Sequence, residues 1–235
     1  MKILGIIPAR YASTRFPGKP LTKIDGKAMV LHVYDRAKSS GLFDELCIAT
    51  DHDDIYKEAL NYGAKVRMTQ NTHRSGTDRC SELAKDFPEM DFIVNIQGDE
   101  PRIAKKQLED LVQAFQHPDV KIVTLKKKIS ENEEKDSPHI VKVVTDLCGN
   151  ALYFSRSLLP FPRNQNQNIF HFKHIGLYGF QRQTLLEIAQ LKPTELERIE
   201  SLEQLRWLEH GYPIRVLETE WESIAIDTPE DLKKL

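Results

Sequence analysis

Cysteine is scarce in this chain. Its 235 residues include only Cys47, Cys80 and Cys148, widely separated and in neither a CxxC nor a zinc-ligand spacing. That excludes a disulfide scaffold or a cysteine-built metal centre and suits reduced thiols in a reducing compartment. Long hydrophobic runs are also missing. No stretch nears the ~18 apolar residues of a membrane helix, and the opening run ends at Pro8-Ala9-Arg10, too early for a secretion signal and its cleavage site. Neither sign of charge is in excess: 33 Lys+Arg against 35 Asp+Glu leave a formal −2. A general nucleic-acid or anionic-membrane surface is thereby excluded, and any anion site must be a local cluster. Neither GxxxxGK[ST] nor GxGxxG occurs, and no internal repeat is visible. A cytoplasmic protein with no membrane insertion and no nucleic-acid partner is expected.

What is present suits a folded enzyme-sized domain. Hydrophobic residues make up 40% and charged residues 29% of the chain, too apolar for disorder. A chain of 27.1 kDa buries roughly 70% of its unfolded surface, so no disulfide, structural metal or partner is needed to explain a core. One domain spanning residues 1–235 is expected.

Through the first half, apolar runs of strand length alternate with helical patterns. Strands are expected at residues 3–7, 45–50, 65–68 and 92–97, and helices at 30–37, 54–61, 76–87 and 105–115. Such alternation predicts an α/β fold with a mostly parallel sheet flanked by helices, whose ligands lie beyond the carboxyl ends of the strands. The second half changes character. Strands at 122–127, 140–145 and 151–155 follow without helices between them, with a hairpin turn at 146–150. A β-rich annex over about residues 120–182 follows from this. The polar run 164–168 (NQNQN) is a mobile loop by composition. Beyond it come a strand around 175–179, helices at 183–189 and 199–210, a strand at 214–217 and a short last helix.

Three clusters carry chemical potential. The loop after the first strand (residues 8–20, PARYASTRFPGKP) contains Arg10, Arg15 and Lys19 and no acid. All-positive charge at a strand's carboxyl end suits a polyphosphate, because Arg grips oxygens through paired N–H groups and Lys supplies a point charge. A solvated basic loop is the plainer alternative. His73-Arg74-Ser75-Gly76-Thr77-Asp78 opens a helix with Ser75 and Asp78 as a capping box, and the same N-terminus can hold a ligand's polar edge. Asn95-Ile96-Gln97-Gly98-Asp99 ends the most apolar strand and projects Asp99 at the rim. Near the end of the chain, Thr228, Pro229 and Asp231 account for capping the last helix. Asp227 is then left as a ligand candidate. Two aspartates on separate strand ends opposite a basic loop match magnesium, which favours carboxylates combined with phosphate oxygens and water. His174, Gly176 and Tyr178 would share one face of a strand. On the helix at 199–210, Ile199, Leu202, Leu205 and Leu208 form the expected buried stripe, with Glu203 and Gln204 at its solvated rim.

Together these strings resemble the 3-deoxy-manno-octulosonate (Kdo) cytidylyltransferases, or CMP-Kdo synthetases. The segments that carry the resemblance are residues 7–21 (IPARYASTRFPGKPL), 49–51 (ATD), 68–77 (MTQNTHRSGT), 95–101 (NIQGDEP), 141–144 (VKVV), 151–156 (ALYFSR), 174–178 (HIGLY), 202–206 (LEQLR) and 226–232 (IDTPEDL). They run in order along essentially the whole chain. The resemblance implies a Rossmann-like nucleotide-diphosphosugar transferase fold with a β-rich annex used for homodimerisation. It implies a reaction in which CTP and the octulosonic sugar acid Kdo give CMP-Kdo and pyrophosphate with magnesium, in lipopolysaccharide synthesis. Carried over by motif, Arg10, Arg15 and Lys19 would hold the CTP phosphates and Arg74, Ser75 and Thr77 the cytidine, with Ala9 also binding the nucleotide. Asp99 and Asp227 would hold magnesium. Gln97, His174, Tyr178, Glu203 and Gln204 would form the sugar-acid site. Lys19, Arg10, Arg15, Asp99 and Asp227 would carry the chemistry. Three places depart from the family pattern: Phe16 for the usual Leu, Ser137-Pro138-His139 before VKVV, and a short loop at 163–169. The competing readings are the same reaction on 8-amino-3,8-dideoxy-manno-octulosonate, a CMP-sialate synthetase, and a non-catalytic nucleotide sensor.

Overall fold

The computed structural model describes residues 1–12, 16–130, 135–164, 169–222 and 224–235. Arg15 and most of the 163–169 loop therefore lie outside the described residues. In chain order the first half runs β1 (Ile3–Ala9), a 3-10 turn (Lys19–Leu21), a small hairpin of β2 (Lys23–Ile24) and β3 (Lys27–Ala28), and α1 (Met29–Ser40). It continues with β4 (Glu45–Thr50), α2 (Asp53–Tyr62), β5 (Val66–Met68), α3 (Gly76–Ala84), β6 (Phe92–Asn95) and α4 (Lys105–Ala114). The second half is β7 (Ile122–Lys128), β8 (Lys142–Thr145), β9 (Ala151–Ser155), β10 (Phe172–Gln181), α5 (Arg182–Ile188), α6 (Glu195–Glu200), α7 (Gln204–Glu209), β11 (Arg215–Glu218) and a final 3-10 turn (Pro229–Lys234).

Both halves build one sheet in the order β11-β7-β10-β6-β1-β4-β5, with β8 and β9 attached beside β10. The pairs β1–β4, β1–β6, β4–β5 and β7–β11 are parallel, while β10 runs antiparallel between β6 and β7. The period-2 alternation of β1 explains the layering. Ile3, Ile7 and Ala9 pack on one face with Val30, Val33, Ile55 and Leu108. Leu4 and Ile6 pack on the other with Cys80, Leu83, Leu185 and Trp207. Cys47 and Cys80 are buried, Cys148 is exposed, and all three are unpaired.

The helix expected over residues 199–210 is a correction. Thr194 and Glu197 form a capping box that starts α6 earlier, and Ser201 takes the left-handed conformation (φ 53°) that ends it. Glu200 is held by β9: its carboxylate accepts from Ser155 Oγ at 2.5 Å and Arg156 N at 2.9 Å. Arg156 Nε also donates to the Glu200 carbonyl at 2.7 Å. Ile199 is consequently 72% exposed, while Leu202, between the two helices, and Leu205, in the separate helix α7, are buried.

Candidate active site

A cleft of about 290 Å³ opens at the carboxyl ends of β1 and β6 and at the N-terminus of α3. Its walls include Ala9, Arg10, Lys19, Arg74, Ser75, Gln97, Asp99 and Asp227. Eight of the residues singled out from sequence thus meet in one place, at the position open α/β sheets reserve for ligands. The backbone crossing there is tight. A Cβ on Gly98 would come within 2.8 Å of the Pro8 carbonyl oxygen, so the turn after β6 can lie against the end of β1 only with glycine at that position.

Lys19 is the electrostatic centre of the cleft. Its Nζ donates to Asp99 Oδ2 at 2.6 Å and to Asp227 Oδ1 at 3.5 Å, so the two carboxylates reach the same atom. The backbone joins the two segments as well, through Ile226 N donating to the Asp99 carbonyl at 2.9 Å. Asp231 takes the capping role at the final turn: its Oδ2 accepts from Asp227 N, Thr228 N and Thr228 Oγ1 at 2.8–3.0 Å. Two carboxylates that reach one ammonium group beside a basic wall form the donor set a hard divalent cation shares with phosphate. Among the described residues, no group of three or more His, Cys, Asp or Glu side chains forms a metal cage. A cation here would therefore draw its remaining ligands from substrate and water.

Opposite the aspartates, α3 presents its N-terminus. Ser75 Oγ accepts from Asp78 N at 3.0 Å and the Asp78 side chain returns to Ser75 N, which completes the capping box. Arg10 and Arg74 are exposed and supply positive charge to the rim. Sequence reasoning left Arg79 out. It is buried in the cleft wall, with Nη2 on Asp51 Oδ2 at 2.6 Å and Nη1 bonded to Thr69 Oγ1. That pair ties α3 to the end of β4. The only hint of it in the sequence was the Ala49-Thr50-Asp51 string.

The five residues expected to hold the sugar acid do not all line the open cleft. Gln97 does, and its Nε2 donates to the Gly176 carbonyl at 2.8 Å. The other four are not among the residues that line it. The pairing of β10 with β7 shifts register between Ile175 and Tyr178. There the Thr124 hydroxyl lies 2.8–3.0 Å from the Ile175 and Leu177 carbonyl oxygens and from His174 Nε2. The bulge leaves His174 and Tyr178 on one face, ring centroids 5.4 Å apart. Burial pushes the His174 imidazole down to about 3, so it is neutral at physiological pH, and burial raises the Tyr178 phenol. Glu203 accepts from Thr77 Oγ1 at 2.7 Å, and burial raises its carboxyl above the ordinary range. The Thr77 hydroxyl hydrogen is committed to that bond, so toward a ligand the hydroxyl can only accept, and the one donor left on Thr77 is its backbone N–H. Asn95 Oδ1, Gln204 Nε2 and Trp207 Nε1 are buried with no hydrogen-bond partner among the described residues. Such groups in a native interior signal bound water or a ligand.

A nucleotide-sized cleft at the switch between strands, a basic wall and a carboxylate pair define a nucleotidyltransferase. Comparison with known proteins is specific about the kind. A family model described as cytidylyltransferase matches residues 4–223. The 3-deoxy-manno-octulosonate cytidylyltransferases of Fusobacterium nucleatum and Solibacter usitatus are 50% and 51% identical, over 100% of this chain and 96% and 93% of theirs. A solved CMP:2-keto-3-deoxy-manno-octonic acid synthetase complexed with CTP superposes with a TM-score of 0.94 at 41% identity, covering 100% of this chain and 96% of that one. A 4-diphosphocytidyl-2C-methyl-D-erythritol synthase from Anaerococcus prevotii shares only the fold, with a TM-score of 0.64 at 17% identity. The chain belongs to the 3-deoxy-manno-octulosonate cytidylyltransferase family.

Proposed function

We propose that this protein transfers a cytidylyl group from CTP to the sugar acid Kdo, giving CMP-Kdo and pyrophosphate for lipopolysaccharide synthesis. The observation that carries the reading is the meeting of Asp99 and Asp227, from distant parts of the chain, on the one ammonium group of Lys19. The reacting geometry is in-line: the anomeric hydroxyl gives up its proton to solvent water and attacks the α-phosphorus, the bond to the bridging oxygen breaks, and pyrophosphate departs. Such transfers leave the protein mainly positioning and charge stabilisation to do. Arg10, Arg15 and Lys19 neutralise charge growing on pyrophosphate. The Ala9 backbone, Arg74, Ser75 and the backbone of Thr77 seat the nucleoside at the α3 N-terminus. Asp99 and Asp227 are the residues that would hold magnesium, which when bound polarises the α-phosphate and lowers the pKa of a neighbouring hydroxyl.

The sugar acid enters beside Gln97 and reaches the buried polar group behind it. Tyr178, Gln204 and a neutral His174 supply hydrogen bonds. His174 is too weakly basic to remove the attacking proton. Burial favours the neutral form of Glu203, which suits a residue placed close to a carboxylated substrate. We read residues 1–235 as one nucleotidyltransferase unit. Exposed Leu147, Leu152, Phe161 and Phe170 lie on the β-rich annex and support its use as a homodimer contact. Three free thiols support a cytoplasmic location, and among the described residues no helix is long and apolar enough to cross a membrane.

The test is pyrophosphate release from CTP and magnesium with each candidate acceptor, and mass spectrometry of the product. Release with Kdo and none without it is expected. Faster turnover of 8-amino-3,8-dideoxy-manno-octulosonate or a sialic acid would reassign the substrate, and binding of CTP without turnover of any acid would overturn the enzymatic reading.

A further inference from the structure

The ammonium group of Lys19 occupies the position from which a cation would be held by both aspartates. It is 2.6 Å from Asp99 Oδ2 and 3.5 Å from Asp227 Oδ1, and the Lys19 side chain is only 14% exposed. We propose that Lys19 is a built-in competitor for the divalent cation. It holds the carboxylate pair together until the triphosphate offers it a second anionic partner, and so makes cation binding depend on nucleotide. This rests on the reading of Asp99 and Asp227 as the cation ligands.

The argument is one of exchange. Two carboxylates brought to the same point repel each other, and the Lys19 ammonium that both contact offsets that repulsion. In this fold the charge is covalently attached, so it is present at high effective concentration and needs no cation from solution. A divalent ion must displace the ammonium from at least one of its two oxygens, and its apparent affinity falls by that factor. Nucleotide phosphates in the same cleft compete for that ammonium and so free the pair. Because coupling between two ligands is reciprocal, a cation on the aspartates also releases Lys19 for the phosphates. Lys19 thereby acts as a positioning residue in one setting and a phosphate ligand in the other, and cation bound without substrate is disfavoured.

The experiment measures binding of Mn²⁺ alone, by electron paramagnetic resonance, to the nucleotide-free protein. Wild type is expected to bind weakly, and Lys19→Met at least about tenfold tighter. Lys19→Gln, whose amide can still donate to a carboxylate, keeps the test available if the methionine variant does not fold, and should move in the same direction. Arg10→Met removes a positive charge from the same cleft without touching the exchange, so it should raise Mn²⁺ affinity far less. Equal affinity for wild type and the Lys19 variants, or an equal gain in Arg10→Met, overturns the competition. The double variant Lys19→Met/Asp227→Asn separates the two claims. It should lose the tight binding, and retention of tight Mn²⁺ binding there would mean that the Asp99–Asp227 pair is not the cation site.

Discussion

Asp227 shows how neighbours fix the work left to a single side chain. Asp231, not Asp227, caps the last turn, so the Asp227 carboxylate can face Lys19 without costing the helix end its cap. Asn at this position keeps size and shape and removes only charge, and the capping bonds do not use the side chain that changes. Asp227→Asn should lower kcat for pyrophosphate release by about 10²–10³, the usual loss for one group that stabilises transition-state charge. The thermal midpoint should stay close to wild type. Steady-state assays at saturating magnesium with a parallel melting curve check both, and a kcat near wild type would remove Asp227 from the chemistry.

Lys142 makes the corresponding case at the level of elements. Its side chain is fully buried, and its Nζ donates to the carbonyls of Ser137, Ile140 and Arg156 at 2.9, 2.6 and 2.5 Å. It thereby fastens the chain entering β8 to the end of β9. Burial lowers its pKa, yet three carbonyl dipoles converge on the ammonium. Lys142→Met fills the same space and leaves those carbonyls without a donor, so unfolding stability should fall by about 2–3 kcal/mol. Urea denaturation measures this, and an unchanged midpoint would mean that water replaces the ammonium. Nothing in Val141-Lys142-Val143-Val144 announces a buried lysine, since period-2 reasoning puts a lysine between valines on the solvent face. The strands of the first half were legible from their short apolar runs, and α2 and α3 from local end signals such as Ser75–Asp78 or the left-handed Gly63 after α2. The break between α6 and α7 was not, because Leu202 and Leu205 continue the spacing set by Ile199. What ends α6 is the grip of Ser155 and Arg156 on Glu200, a contact made across 45 residues of chain. Arg10, Lys19 and Asp99 could be picked out as candidates from residue type and strand ends, and Asp227 as a carboxylate left over beside the last cap, although no strand precedes it. The burial of Glu203 and its bond to Thr77 depend on how α7 packs against α3, and no spacing along the chain encodes that.

On the scale of the whole molecule, β10 joins the two halves of the sheet, with β6 on one side and β7 on the other, and it carries His174 into the interior. The imidazole packs edge-on against Phe154 of β9 at 4.9 Å, and burial pushes its pKa down from the ordinary 6.5 to about 3. The sign follows from which form the fold accepts. The folded protein holds His174 neutral while the unfolded chain protonates it from about pH 6.5 downward, so its contribution to stability is complete above 6.5 and is lost progressively as pH falls toward 3. Between pH 7.5 and 5 the loss amounts to about 2 kcal/mol at 1.36 kcal/mol per pKa unit. Glu203 works in the opposite direction. Its pKa is raised by burial, so its contribution is full below the ordinary carboxyl value and is lost as pH rises through the raised one. Raw stability curves therefore mix the two, and the comparison with His174→Gln isolates the histidine. That variant keeps an amide that can reach Thr124 and has nothing to protonate. It should start less stable than wild type at pH 7.5 and lose about 2 kcal/mol less on going to pH 5. Parallel urea titrations at the two pH values give the difference directly, and identical acid losses in both proteins would show that His174 is protonated within the fold.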